Sequence, residues 1–291
     1  MILEVIFYIS LTVFLLPVNR VVAIAVHMLY NYISIRRESA MYYRFSVDDN
    51  IRFLRELTEG GYASVFDHPY MKMYRDLHEK YGTKFHLNLF YTMDGFDLTM
   101  VTDRFKDEWS ANSHWIRFAF HSYSDAPPFP YKDSEYDRVF DDCSRVHNEI
   151  RRFAGEECLS YFVTVHYCQA SPEAIRALRD CGVRGLIGLF KDADCYGRHF
   201  DDFSMPYVYD EELGMYLFCN DIILNLYSAN DVADKLREDD GKQFTEVMIH
   251  EQYFYPDFFA HKPDFVNIMH ATVRHLTDLG RVSVFLEDIV E

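Results

Sequence analysis

The sequence predicts an α/β fold with a mainly parallel sheet, closed as a distorted (β/α)7-type barrel. Three observations lead there. Short apolar runs alternate with amphipathic helical segments from Met41 onward, the pattern of parallel strands joined by helices. About seven such units follow one another, which suits a barrel better than an open sheet. Acids and histidines recur at the predicted strand ends, where a parallel barrel gathers its functional groups.

The elements follow in order. "YYRFSV" (42–47) reads as a buried strand. "NIRFLRELTEG" and "PYMKMYRDLHEKYG" read as helices stopped by glycine. "KFHLNLFY" (84–91) is a strand, "TDRFKDEWSANS" a helix and "WIRFAFHS" a strand. "SEYDRVFDDCSRVHNEIRRFAG" has apolar positions every three or four residues, as a long amphipathic helix does. "YFVTVHY" is a strand. "SPEAIRALRDCG" has Ser171 as N-cap, Pro172 at the first helical position and Gly182 at the stop. "VRGLIGLF" is a strand. Residues 191–229 are less regular, with short strands such as "MYLFCN". "TEVMIH" (245–250) is a strand, "KPDFVNIMHATVRHLTDLG" a long helix and "RVSVFLEDI" a last strand. Residues 41–291 read as one domain without repeat or linker.

Composition narrows the function. The chain has 291 residues, of which 49% are hydrophobic, enough for a large core. Its net charge of −17 repels a phosphate backbone, so nucleic acid is excluded as a partner. Aromatic residues make up 17%, which suits a polar-faced ligand such as a sugar and equally an aromatic core. The six cysteines form no CxxC pair, which points away from a zinc knuckle and toward a reducing compartment, the cytoplasm.

Residues 1–40 differ from the rest. "VIFYISLTVFLLP" and "VVAIAVHMLYNYISI" are apolar runs separated by "VNR". Each is shorter than the roughly 20 residues of a spanning helix, but together they reach it. One reading is a membrane anchor through residues 1–35, with Arg36 and Arg37 on the cytoplasmic side. The other is a translated leader before a true start at Met41, since an Arg-Arg pair can be encoded by a ribosome-binding sequence. A cleaved signal peptide fits neither the charge nor the small-residue pattern.

The strand ends carry the chemistry. "SVDDN" places Asp48 and Asp49 at the end of the first strand. "FAFHSYSDAPP" gives His121 and, four residues on, Asp125. "VTVHY" gives His166 and Tyr167, and "VMIHEQYF" gives His250 and Glu251. Each has a plain alternative: Asp48 and Asp49 as caps of the next helix, His166 as a satisfied core histidine. Adjacent carboxylates at the end of an apolar strand need a partner, and a divalent cation is a natural one.

These residues resemble the polysaccharide deacetylases of the NodB-homology, carbohydrate esterase 4 type. "SVDD" is similar to their "TFDD" strand end, and "LHEKYGTKFHLNLF" takes the place of their following helix and strand. "HSYSD" resembles "HSxxH", "PEAIRALRDCGV" resembles a later family helix, and "MIH" resembles the last motif. The resemblance spans roughly Tyr42 to Glu251. It implies the deacetylase barrel, Asp48 as catalytic base and His250 as general acid. It implies a divalent metal, zinc by family with Mn, Co or Mg as alternatives, held by Asp49, His121 and, in place of a second histidine, Asp125. An Asp-His-Asp set is harder than the family's and shifts preference toward Mn or Mg. The arginine that orients the family's base is missing: Thr164 stands near its position, and His166 and Tyr167 are assigned to substrate there. The implied activity is hydrolysis of a C–N amide bond, deacetylating an N-acetylated sugar or a small amide. The alternatives are a relative that binds carbohydrate or metal without turnover, and a barrel hydrolase of cyclic amides or ureides.

Overall fold

The computed structural model describes residues 40–290 except residue 204. The anchor and leader readings of the N-terminus fall on residues outside this range. Among the described residues no helix is long and apolar enough to cross a membrane.

Among the described residues twelve strands run in the order β1 (Tyr42–Asn50), β2 (Phe85–Phe90), β3 (Thr92–Met93), β4 (Phe96–Asp97), β5 (Ile116–Ser122), β6 (Phe162–Val163), β7 (Gly185–Gly188), β8 (Val208–Asp210), β9 (Met215–Cys219), β10 (Ile222–Ile223), β11 (Phe244–His250) and β12 (Val282–Ser283). A six-stranded sheet has the order β10-β11-β1-β2-β5, with β12 also on β1. A four-stranded sheet has the order β6-β7-β9-β8. The two join at both ends. Phe118 of β5 bridges Leu159 in parallel, and Ser160 N donates to Phe118 O at 2.8 Å. At the other side one segment serves both sheets: β9 pairs with β7, and β10, three residues on, pairs with β11. Between them Asn220 N donates to Gly188 O at 2.8 Å and Asp221 N to Glu246 O at 3.0 Å. The pairings therefore run round a distorted parallel barrel; among the described residues the β8 edge, the small β3/β4 hairpin and the isolated Cys195–Arg198 bridge are antiparallel.

The helices are α1 (Arg52–Glu59), α2 (Pro69–Tyr81), α3 (Lys106–Ala111), α4 (Tyr136–Phe153), α5 (Pro172–Asp180), α6 (Val232–Leu236) and α7 (Phe265–Asp278). Their ends follow local chemistry. The Ser171 hydroxyl accepts from Ala174 N at 3.0 Å to start α5, and Gly82, at φ 71°, ends α2 in the left-handed conformation glycine tolerates.

Alternation along β1 sorts its side chains. Tyr43, Phe45 and Val47 are buried among apolar neighbours, with Phe45 and Phe85 rings 5.3 Å apart and Tyr74 of α2 4.5 Å from Phe85. Each such buried side chain contributes about 1.5–3 kcal/mol. Arg44, Ser46 and Asp48 are also buried, but they meet polar groups of neighbouring strands. Arg44 pairs with Glu246 and donates to His86 at 3.3 Å, while Asp48 accepts from Asn88. The barrel interior is thus a polar stack beneath the strand ends.

Two predicted strands are shorter than expected. "YFVTVHY" pairs only at Phe162–Val163, because its next backbone groups bond side chains: Thr164 O accepts from His121, and Val165 N donates to the Tyr196 hydroxyl at 3.1 Å. The chain then turns through Tyr167 at φ 63°. "RVSVFLEDI" pairs only at Val282–Ser283 before a short 3-10 turn at Leu286–Asp288.

Candidate metal and catalytic centre

Asp48 and Asp49 lie at the C-terminal end of β1, where one extra residue interrupts its register with β2 between Val47 and Asn50. The bulge puts Asp49 at φ 64°, a conformation aspartate tolerates better than most residues. It re-aims the chain so that neighbouring aspartates serve one cluster instead of opposite faces. Asn50 braces the bulge: its Nδ2 donates to Val47 O at 2.6 Å, and its Oδ1 accepts from the Tyr70 hydroxyl at 3.0 Å. Neither aspartate caps α1. That task falls to Glu251, fully buried, whose carboxylate accepts from the backbone N–H groups of Ile51, Arg52 and Phe53 at 2.8, 3.0 and 2.7 Å. The positive end of α1 thereby ties the strand end that carries His250 to the one that carries Asp48.

Asp49, His121 and His166 come together. His121 Nε2 lies 3.0 Å from Asp49 Oδ1 and 3.1 Å from His166 Nδ1, and His166 Nδ1 lies 3.5 Å from the same Asp49 oxygen. Among the described residues this is the one cluster of three metal-ligating side chains with mutually adjacent donor atoms. Asp125 is not in it. Its residue is exposed, and its backbone carbonyl accepts from His166 Nε2 at 3.3 Å. The expected ligand set Asp49-His121-Asp125 is therefore replaced in space by Asp49-His121-His166. The physical reason is the path of the chain. A residue four positions after His121 returns to it only through a helical turn, whereas residues 123–130 leave as a loop and His166 arrives from the next strand end.

The donor set fits a cation. His121 Nδ1 faces the Thr164 carbonyl, which only accepts, so Nδ1 carries the hydrogen and Nε2 is bare. By the same reasoning His166 Nε2 carries its hydrogen toward Asp125 O, leaving Nδ1 bare. Two bare imidazole nitrogens and a carboxylate oxygen then face one another, an arrangement that repels itself and that a positive ion resolves. Each histidine donates its other N–H to a carbonyl, the usual support of a ligating imidazole. Gln252 Nε2 holds the other Asp49 oxygen at 2.7 Å.

Ionisation of the cluster follows its charges: burial lowers His121, but Asp48 and Asp49 outweigh it and raise the imidazole, so a proton on Nε2 and a cation compete for the same place. Burial pushes the Asp49 carboxyl up, but the hydrogen bond that a protonated His121 makes to it and the charges of His250 and His121 outweigh burial and hold the group well below the usual carboxylate range. Asp48 goes the other way: burial raises it, and His121 and His250 only partly offset that. His166 is lowered to about 4 by burial and by the neighbouring His121, which keeps it neutral and able to ligate.

Asp48 sits in register with His250 on the adjacent strand, and Asn88 Nδ2 donates to its Oδ1 at 2.6 Å. Asn88 also lies 3.4 Å from the hydroxyl of Thr164, the residue near the expected arginine position. His250 Nδ1 donates to Asn225 Oδ1 at 2.8 Å, leaving Nε2 free. Tyr167 is exposed, its ring 4.3 Å from that of His166 and 4.6 Å from that of Phe129. Beside the cluster opens a cleft of about 600 Å³, lined in part by Asp49, Phe90, Met93, Asp125, Gln252 and Phe258. Asn50, Asn88, Asn225 and Gln252 were not foreseen. Asparagine and glutamine carry no charge pattern, and the one signal available was their position at or just after strand ends.

No family model matches the chain, and no curated protein matches its sequence. Solved structures do match its fold. The Xyl-CE4 domain of a multidomain xylanase from the hindgut metagenome of Trinervitermes trinervoides aligns over 86% of this chain and 89% of its own, with TM-score 0.50 and 9% identity. The 4-alpha-glucanotransferase of Thermococcus litoralis aligns over 86% of this chain and 40% of its own, with TM-score 0.57 and 11% identity. At such identities the likeness is one of fold.

Proposed function

We propose that this divergent polysaccharide deacetylase-like barrel is a metal-dependent hydrolase of C–N amide bonds, acting on an N-acetylated sugar or a related small amide. The observation that carries the reading is the convergence of two bare imidazole nitrogens on Asp49, with Asp48 beside them and His250 across. A divalent cation, when bound, supplies Lewis acidity toward an acyl oxygen and acidifies water. Asp49, His121 and His166 would hold it, and this set is softer than one with two carboxylates, so zinc or cobalt would suit it better than magnesium. Asp48 takes the proton of the attacking water, and Asn88 fixes one of its oxygens. A protonated His250, oriented by Asn225 through Nδ1, delivers its Nε2 proton to the leaving amine. Tyr167 offers an exposed ring to a sugar face at the rim.

The test is acetate release from N-acetylated amino-sugar oligomers and monomers, after chelation and after reloading with zinc or cobalt. The expected result is metal-dependent release that Asp48→Asn lowers by about 10²–10⁴-fold. Activity that survives Asp48→Asn refutes the assigned base. A second reading, binding without turnover, is favoured by the absence of the base-orienting arginine, with Thr164 near its position; metal binding without release from any such substrate would establish it. The cytoplasm remains the proposed location, with anchoring through residues 1–35 as the alternative that mass spectrometry of the native N-terminus separates.

A further inference from the structure

Residue type and backbone disagree at Tyr196. Cys195 and Arg198 pair as an isolated antiparallel bridge, with Cys195 N donating to Arg198 O and Arg198 N to Cys195 O, each at 2.8 Å. The two residues between them, Tyr196 and Gly197, have φ 54° and 72°. A two-residue turn with both φ values positive favours asparagine, aspartate and glycine. Gly197 suits it, but a bulky aromatic beside it is an outlier that its surroundings must hold. The side chain shows what holds it. Tyr196 is 2% exposed, with its ring 6.0 Å from that of Phe190. Its hydroxyl donates to Ile187 O of β7 at 2.9 Å and accepts from Val165 N at 3.1 Å. Its backbone N donates to Cys168 O at 3.2 Å.

These bonds fall on the turn that carries His166. Cys168 N donates to Val165 O at 2.7 Å to close that turn, and Tyr167 and Cys168 stand at φ 63° and 53°. Two consecutive non-glycine residues in the left-handed region are strained, so the turn persists because its surroundings over-determine it. Tyr196 grips it from both sides, by the hydroxyl on Val165 and by the backbone on Cys168. The same segment serves His121, whose Nδ1 donates to Thr164 O. Both imidazoles of the cluster therefore depend on where residues 164–168 sit, and one phenol fixes that segment to β7. Burial pushes the phenol well above its ordinary range, so it stays a hydroxyl that donates to Ile187 O.

We infer that Tyr196 is a positioning residue of the metal centre: its hydroxyl locks the Val165–Cys168 turn so that His166 Nδ1 and, through the Thr164 carbonyl, His121 Nε2 face Asp49. The inference rests on the metal reading of that cluster. Tyr196 touches neither the three donor groups nor the cleft beside them; it acts through the backbone of the segment that presents them. Partners that orient a ligating histidine set metal affinity by 10–100-fold, and the hydroxyl should act at the lower end of that range.

Tyr196→Phe keeps the ring and the backbone bond to Cys168 and removes the hydroxyl alone. Tyr43→Phe is the comparison, since it removes another buried hydroxyl, one that bonds Thr83 Oγ1 at 2.8 Å. The full-length wild type and both variants are stripped with chelator, then titrated with zinc by calorimetry and with cobalt by visible absorption, beside urea denaturation. Tyr196→Phe should bind both metals about 10-fold more weakly and show a cobalt band changed in position or intensity. Tyr43→Phe should match the wild type in both, even where its urea midpoint falls as far. Wild-type affinity and spectrum in Tyr196→Phe overturn the inference, and so does an equal loss in Tyr43→Phe, which makes the effect one of general stability. A wild type that takes up neither metal overturns the metal reading itself, and this inference with it. Should Tyr196→Phe fail to fold, hydrogen exchange in the wild type decides. Zinc should slow exchange of the Val165 N–H more than that of Lys84, whose N–H also donates to a side-chain hydroxyl, that of Ser283. Equal slowing of the two overturns the inference.

Discussion

Replacing His166 and replacing Asp125 should have opposite consequences for metal binding. His166 supplies one of three converging donors, 3.1 Å from His121 Nε2 and 3.5 Å from Asp49 Oδ1. Asp125 supplies only a backbone carbonyl to His166 Nε2, and a change of its side chain keeps that carbonyl. Groups that merely support a ligand cost 10–100-fold in affinity when lost, so His166→Ala, which removes a donor outright, should cost about 100-fold or more, or ~2.7 kcal/mol. Asp125→Ala should stay within about 3-fold, below ~0.7 kcal/mol. Isothermal titration of chelator-stripped protein with zinc and with cobalt measures both. A loss in Asp125→Ala equal to that in His166→Ala would refute the assignment and restore the ligand set expected from the "HSxxH" resemblance.

Three further outcomes are expected. Asn88→Ala frees the Asp48 carboxylate from its 2.6 Å hydrogen bond and should lower kcat by about 10–100-fold with metal affinity unchanged; steady-state kinetics beside metal titration checks both. Glu251→Ala strands three backbone N–H groups at the start of α1 and should destabilise the fold by about 3 kcal/mol or more, read from urea denaturation. His147 carries a folded pKa lowered from 6.5 to about 4, so the unfolded chain binds the extra proton in that window. Stability is therefore full above pH 6.5 and falls as the pH drops toward 4, by ~1.4 kcal/mol per unit and about 3 kcal/mol in all; His147→Gln should remove that slope from the acid limb of the denaturation profile.

How much of this could be read from residues alone depended on whether a feature was local. Strand positions were legible because apolar runs with charged ends mark themselves, and so Asp48, Asp49, His121, His166 and His250 were all found. The division of roles among them was not, since it depends on where the chain goes after each strand. The spacing of His121 and Asp125 suggested a ligand pair, but spacing is evidence only when the conformation between the residues is known. Here the intervening segment is a loop, and the third member of the cluster, His166, comes 45 residues after His121. "VTVHY" carried the same signal as the other strand ends, yet its histidine was assigned to substrate because the resemblance had already filled the ligand set. The cap on α1 was hidden for a similar reason: the acids adjacent to the helix looked sufficient, while the group that bonds it lies about 200 residues away in sequence, at Glu251. Long-range polar pairing of this kind leaves no periodic trace. Here it ties the start of α1 to the end of β11, next to the strand ladder that sets Asp48 opposite His250.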